Sequence, residues 1–391
     1  MKYSDLKNIL SELYTSDRKN LAYLTHYLQC QGLDAAMYYE ENVRRYFGTG
    51  FNINKIEWDV PFRTSNNSRF TFIDLFAGIG GVRLAFQNLG GKCVFSSEWD
   101  EYAQTTYDLN FGEIPFGDIT KIDENDIPNH DILAAGFPCQ AFSIAGKRGG
   151  FEDTRGTLFN DVARIIRRKR PRAFFLENVK GLVNHDRGRT LNVILNTLRN
   201  DCGGYYVPDP KIINAKDFGV PQNRERIFIV GFRNDLGIDH FDYPEPTNQR
   251  VTLGDIIEEQ PVSVKYYMST QYMETLRRHR KHHEALGHGF GYEIKSLDSI
   301  ANAIVVGGMG RERNLIIDDR LKDFTPVTSI KGEVNREGIR RLTPREWSRL
   351  QGFPDNFIHY KTDVQAYKQF GNSVAVPAVQ ATARNVVNTV I

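Results

Sequence analysis

From Phe70 onward the chain alternates short apolar runs with amphipathic stretches, and this rhythm constrains the fold more than any other feature of the sequence. Phe70–Phe76, Lys92–Ser96, Ile132–Gly136, Ala173–Leu176 and Ile227–Phe232 read as buried strands. Val82–Leu89 and Arg155–Arg170 read as helices, the second with Leu158, Phe159, Val162, Ile165 and Ile166 on one face. Strands and helices in this order predict an α/β fold, a doubly wound and mostly parallel sheet covered on both sides.

The rhythm is absent at both flanks of this block. Residues 1–69 form an N-terminal helical extension. Leu6, Ile9, Leu10 and Leu13 follow helical spacing behind Ser4 as N-cap, and Leu21, Leu24 and Leu28 repeat it after Thr15-Ser16-Asp17. A third segment runs from Asp34 to about Gly48 and Gly50, before a polar linker at residues 63–68. Helices this short need a surface to cover, and three are open to them: the parent domain, a second copy of the chain, or DNA. Residues 70–242 form the block described above. Residues 243–337 are irregular, with glycine clusters and a basic helix at Leu276–His283. Residues 338–391 become regular again, with helices at Pro344–Gln351 and Pro377–Val390.

Composition excludes more than it selects. The N-terminus has no apolar leader core and no run approaches 18 apolar residues, so neither a secretory signal nor a membrane span is expected, and a cytoplasmic protein is. The four cysteines have no CxxC or His-paired spacing, which argues against a bound metal or a disulfide framework. A net charge of +2 decides nothing, since local patches rather than the total bind nucleic acid.

Residues able to do chemistry gather at strand ends. Asp74-Leu-Phe-Ala-Gly-Ile-Gly-Gly81 forms a glycine turn between a strand and a helix, and Glu98 and Asp118 end two further strands. The turn alone fits a dinucleotide fold or a plain tight turn equally well. Its spacing is not that of a phosphate loop, however, and Phe76 offers an aromatic face for adenine, which leans toward S-adenosylmethionine. Gly136-Phe137-Pro138-Cys139-Gln140 places a cysteine at the mouth of the sheet, as a nucleophile is placed; Cys30, Cys93 and Cys202 read as inert. Glu177-Asn178-Val179 follows another strand. Gln222-Asn223-Arg224-Glu225-Arg226 precedes the last, its two arginines facing one way. Singly each is readable as a solvated strand end. Together they bring a nucleophile, an acid and cations to one crevice.

The order FAGIGG, EW, GDI, GFPCQ, ENV, QNRER, RLTPRE and QFGNSV resembles the motif series of bacterial DNA (cytosine-5)-methyltransferases, from Phe70 to near Ile238 and again from about Arg340 to the end. The resemblance implies methyl transfer from S-adenosylmethionine to C5 of a cytosine flipped out of double-stranded DNA. It makes Cys139 the nucleophile toward C6, Glu177 the partner of N3 and Arg226 that of O2, with Arg224 in support. Phe76, Gly78, Gly80, Glu98, Trp99, Asp118, Ile119, Pro138, Leu158 and Asn372 would hold the cofactor. Because Asn372 lies so late, the final segment is expected to return to the first strand. Gln140–Thr157 would be a glycine-rich lid over DNA, contributing Gln140, Ser143 and Arg155. Residues 243–337 match the target-recognition domain, where Arg311 and Arg313 suit base edges, and Arg277, Arg278, Arg280 and Lys281 suit phosphates. A monomer on DNA is expected, with a cognate restriction endonuclease acting on the same site without a stable complex. Rival readings are a transfer-RNA methyltransferase on the same scaffold, a non-catalytic DNA-binding protein and, more distantly, a nicotinamide dehydrogenase.

Overall fold

The computed structural model describes residues 2–13 (side chains as far as Ile9), 18–47, 56–64, 67–138, 158–247, 249–289, 291–307, 310–328 and 330–391. Three helices open the chain: α1 (Tyr3–Leu13), α2 (Arg18–Gln29) and α3 (Met37–Phe47). The block that follows contains β1 (Phe70–Leu75), α4 (Gly81–Gln87), β2 (Gly91–Ser97), α5 (Glu101–Phe111), β3 (Ile132–Gly136), α6 (Leu158–Lys169), β4 (Ala173–Val179) and α7 (Arg189–Asn196). It ends in β5 (Tyr205–Tyr206), β6 (Lys211–Asn214), β7 (Gln222–Asn223) and β8 (Glu225–Arg233).

Among the described residues the main sheet has seven strands in the order β2-β1-β3-β4-β8-β5, with β6 also paired to β8. The pairs β1–β2, β1–β3 and β3–β4 are parallel. β8 runs antiparallel to β4, Glu177 opposite Phe228 and Val179 opposite Arg226. A strand buried on both faces carries no alternation, so its direction cannot be read from its pattern. Each face of the sheet has its own core. Phe72, Phe86, Phe175 and Phe228 lie on one side; Ile73, Leu133, Ile165 and Leu176 lie on the other. Burying each such side chain contributes about 1.5–3 kcal/mol.

Several element bounds differ from expectation. Ser4 does not cap α1: its N–H and hydroxyl both go to the Asp59 carboxylate, which takes the capping role. Residues 15–17, 48 and 50 lie outside the described residues. Glu177 to Val179 are the last residues of β4 rather than the loop after it, and Arg226 lies within β8 rather than before it. Asp118 ends no strand. Phe116 makes a single bridge to Ser97, and Asp118 caps a one-turn helix, accepting from Thr120 N–H at 3.0 Å. Helices α5 and α7 were not foreseen.

Beyond β8 lie α8 (Thr270–Ala285), longer than the basic stretch suggested, and the short strands β9 (Ala301–Asn302), β10 (Ile316–Ile317) and β11 (Ile339–Arg340). β9 pairs with β7, so the irregular region is stitched to the main block. Its hydrophobic clusters are small, one around Met268, Met273, Leu276, Leu315 and Ile339 and another around Val262, Tyr267 and Val334. Buried polar ties supplement them. The Asn335 side chain bonds Met268 and Ile339 main chain, and Arg340 pairs with Asp318 and Glu346 at 2.8 Å. The chain closes with α9 (Pro344–Leu350), α10 (Asp363–Asn372, not foreseen) and α11 (Val376–Val390). α11 packs on α4, the helix that follows the first strand. Asn88 on that side donates to Gln380 at 3.1 Å.

Candidate active site

β1 to β4 run parallel, so their carboxyl ends share one edge of the sheet, the place where α/β folds bind ligands. On the β1–β2 side the chain turns sharply after Leu75. Phe76 adopts φ +56, which is rare for a residue with a side chain. Gly78 and Gly80 follow at φ +56 and +88. A Cβ on Gly80 would stand 2.2 Å from the Phe111 ring, whereas one on Gly78 would meet nothing within 4 Å, so the space over Gly78 is open.

Glu98 borders that opening. Its carboxylate accepts from Gly78 N–H and Asp100 N–H, both at 2.8 Å. Burial pushes its pKa up, against the pull of those two bonds. Trp99 is 80% exposed, its ring available to a ligand. Leu158 begins α6, and Asn372 ends α10 with its side chain exposed. Ile119 is buried in the core.

On the β3–β4 side, Gly136 lies beside Glu177 in register. Asn178 donates to the Phe137 carbonyl at 2.8 Å, holding the last turn of chain before Pro138 and Cys139. Cys139, Gln140, Ser143 and Arg155 lie outside the described residues. The Glu177 carboxylate receives Arg226 Nε at 2.9 Å. Burial raises its pKa, while Arg226 and Arg224 oppose the rise. Glu177, Arg224, Arg226, Ile213, Phe228 and Ala375 line a cavity of about 10 Å³, roughly one water molecule's room.

Arg224 faces the same cavity, but its guanidinium is committed to main chain. It donates to the carbonyls of Ile304 (2.8 Å), Gly371 (3.1 Å) and Ser373 (2.6 Å). Gln222 and Gln351 complete this clamp. Gln222 donates to Leu350 O at 2.8 Å and accepts from Ile304 N–H at 3.0 Å. Gln351 donates to Phe370 O at 2.8 Å. Asn178 and these two glutamines escaped the sequence reading. The only signal for them was that they sit inside the quoted motifs or next to them.

Further out, the Arg311 guanidinium lies 5.5 Å from the Tyr367 ring centre, and Arg313 is exposed. Arg277 pairs with Glu337 at 2.5 Å and Arg280 with Glu284 at 2.8 Å, so both cations are partly occupied within the protein. Cys30, Cys93 and Cys202 are buried free thiols; burial takes Cys30 to about 12 and Cys202 to about 11, far from thiolate chemistry at neutral pH. Among the described residues, no three His, Cys, Asp or Glu side chains are placed to hold a metal, and no helix is long and apolar enough to cross a membrane.

The model of the C-5 cytosine-specific DNA methylase family matches residues 70–388. The chain belongs to that family. It is a DNA (cytosine-5)-methyltransferase. This cytosine-5 methyltransferase is 70% identical over 321 residues to the type II methyltransferase M.HpaII of Haemophilus parainfluenzae, covering 81% of this chain and 89% of that protein. It is 48% identical over 333 residues to M.SsoII of Shigella sonnei, covering 84% and 83%, and 43% identical over 323 residues to M.HhaI of Haemophilus parahaemolyticus, covering 81% and 93%. Among solved structures, the S. pombe Dnmt2 methyltransferase matches with a TM-score of 0.62 over 82% of this chain and 99% of that one. At 19% identity that likeness concerns the fold alone.

Proposed function

We propose that the enzyme transfers a methyl group from S-adenosylmethionine to C5 of a specific cytosine flipped out of double-stranded DNA, through a covalent bond between Cys139 and C6. The observation that carries this reading is the pairing of buried Glu177 with partly buried Arg226 beside Gly136, three residues before Cys139, with Asn178 fixing the intervening Phe137 carbonyl. A pyrimidine held edge-on there meets an acid for N3, a cation for O2 and a thiol for C6.

The donor side fits the cofactor on this chain's own geometry: open space over Gly78, an aromatic Phe76 on strained backbone, a pinned Glu98 and an exposed Trp99. When bound, S-adenosylmethionine supplies an electrophilic methyl group on a sulfonium. The Cys139 thiolate adds to C6 as Glu177 delivers a proton to N3, so electron density reaches C5. Once C5 carries the methyl group, loss of its proton lets the C6–S bond break and returns Cys139 as thiolate. Arg226 neutralises charge at O2 throughout, while Arg224 holds the strand, the Ile304 segment and the end of α10 together.

The recognition of DNA falls to residues 243–337, with Arg311 and Arg313 toward base edges, and to Gln140, Ser143 and Arg155 of the loop after Cys139. By kinship with type II methyltransferases the methylation protects host DNA in a restriction–modification system. Duplex DNA with 5-fluorocytosine at the target tests the whole reading, because fluorine cannot leave as a proton. With cofactor present, wild type should form a denaturation-resistant adduct on duplex DNA and none on transfer RNA. The absence of an adduct on DNA would falsify the mechanism.

A further inference from the structure

The N-terminal helices do more than cover an apolar surface, because two side chains of α2, Tyr23 and His26, both meet Phe116 on the donor side. The Tyr23 ring meets the Phe116 ring edge-on at 5.0 Å, and the His26 ring lies 4.7 Å from it. Phe116 brackets the end of β2: its N–H donates to Ser96 O at 2.9 Å, and its carbonyl receives Glu98 N–H at 2.8 Å. Two residues later stands Asp118. His26 also reaches β2 directly. Its Nδ1 bonds the Ala22 carbonyl at 2.9 Å and so carries the proton, leaving Nε2 to accept from Ser96 N–H at 3.1 Å.

Further bonds lock α2 in this place. Thr25 accepts from Ile114 N–H at 3.0 Å and Gln29 donates to Phe111 O at 3.0 Å. Ser96 donates to Glu113 at 2.8 Å, and Arg83 pairs with the same carboxylate oxygen at 2.8 Å. None of this is required to bury a helical stripe. Hydrogen bonds and ring contacts instead fix Ser96, just before Glu98, and the Phe116 main chain bonded to Glu98 N–H.

We propose that Tyr23 and His26 are positioning residues for the methyl-donor pocket, holding Glu98 and Asp118 in place through Ser96 and Phe116. The inference rests on Glu98 and Asp118 being cofactor contacts. Leu6, buried with Leu24, Leu28 and Val43 in the extension's own small core, is the control for mere loss of stability.

In the full-length enzyme, Tyr23→Ala and His26→Ala should each raise the calorimetric Kd and the KM for S-adenosylmethionine about tenfold. Turnover at saturating donor should stay within about threefold and DNA affinity should not move. Tyr23→Phe keeps the ring and should behave as wild type. Leu6→Ala should lower the melting temperature yet bind the donor normally. If His26→Ala fails to fold, the half-buried Tyr23 carries the test. Unchanged donor affinity in Tyr23→Ala, or an equal loss in Leu6→Ala, overturns the proposal. Glu98→Ala separates the two levels. If it binds the donor like wild type, the cofactor reading of Glu98 is wrong and the inference goes with it; if only Glu98→Ala is impaired, the reading stands and the positioning role is wrong.

Discussion

Glu98 and Glu177 lie at the carboxyl ends of strands in one sheet, each 8% exposed, each with a pKa raised by burial, yet they are bonded differently. Glu98 is fixed by two main-chain N–H groups belonging to the turn and helix start around it. Glu177 is held by a guanidinium from the antiparallel neighbour strand. The first arrangement suits a stationary acceptor, able to hold hydroxyl groups without changing its own state. The second suits a group that must exchange a proton, since a raised pKa keeps the acid form within reach and the cation stabilises what remains when the proton leaves. Under the proposed function, the donor side would bind and the base side would carry the chemistry.

Substitutions can break that division, starting with the largest effect. Cys139→Ser should abolish tritiated methyl transfer while leaving circular dichroism unchanged, because a hydroxyl lacks thiolate nucleophilicity at neutral pH; residual turnover near wild type would remove the thiol from the base side altogether. Glu177→Gln should lower kcat by about 10²–10⁴-fold with donor affinity intact. Glu98→Ala should do the reverse, weakening the donor at near-normal saturated turnover. Were both variants to change both parameters, the two sides would have to be treated as one unit.

A smaller effect concerns stability. Arg224→Met removes the guanidinium that bonds the buried carbonyls of Ile304 and Gly371, while Ser373 O keeps its bond from Gln351 at 3.2 Å, and urea unfolding should show a loss of about 2–4 kcal/mol. No measurable loss would mean that the clamp is dispensable. The smallest effect is in pH. Burial lowers the pKa of His26, beside Glu113 and Arg83, and takes that of His130 to about 4. In the unfolded chain both titrate near an ordinary value of about 6.5. Below that pH the unfolded state takes up protons that the folded state refuses, so stability present above about 6.5 drains away toward pH 4, by at most about 1.4 kcal/mol per pH unit per histidine. Melting temperatures across this window should fall less steeply in His130→Phe. An identical slope would show that His130 is not the source.

What the sequence revealed follows physical lines. β1 to β4 were legible from their short apolar runs, and Glu98, Gly136 and Glu177 because they stand where those runs end; Asp118, Leu158 and Asn372 were legible only through the family resemblance. Helix α5 was not, since its buried face includes Gln104, Thr106, Asp108 and Asn110, polar residues that no hydrophobic period records. The direction of β8 was hidden by its burial on both faces. His26 was invisible too: a lone histidine in a helix says nothing until Ser96 is seen beside it. Arg224 could be recognised by its motif, but its three carbonyl partners come from segments up to about 150 residues away.

The seating of α11 on α4 has a consequence for how the chain is made. Roughly 300 residues separate these helices, so at about 5–20 residues per second the ribosome needs on the order of fifteen to sixty seconds between them. During that interval the sheet face that α11 will cover is open to solvent and to whatever chaperone attends the nascent chain. The core on this face therefore closes only once α11 has left the ribosome, long after the strands it covers.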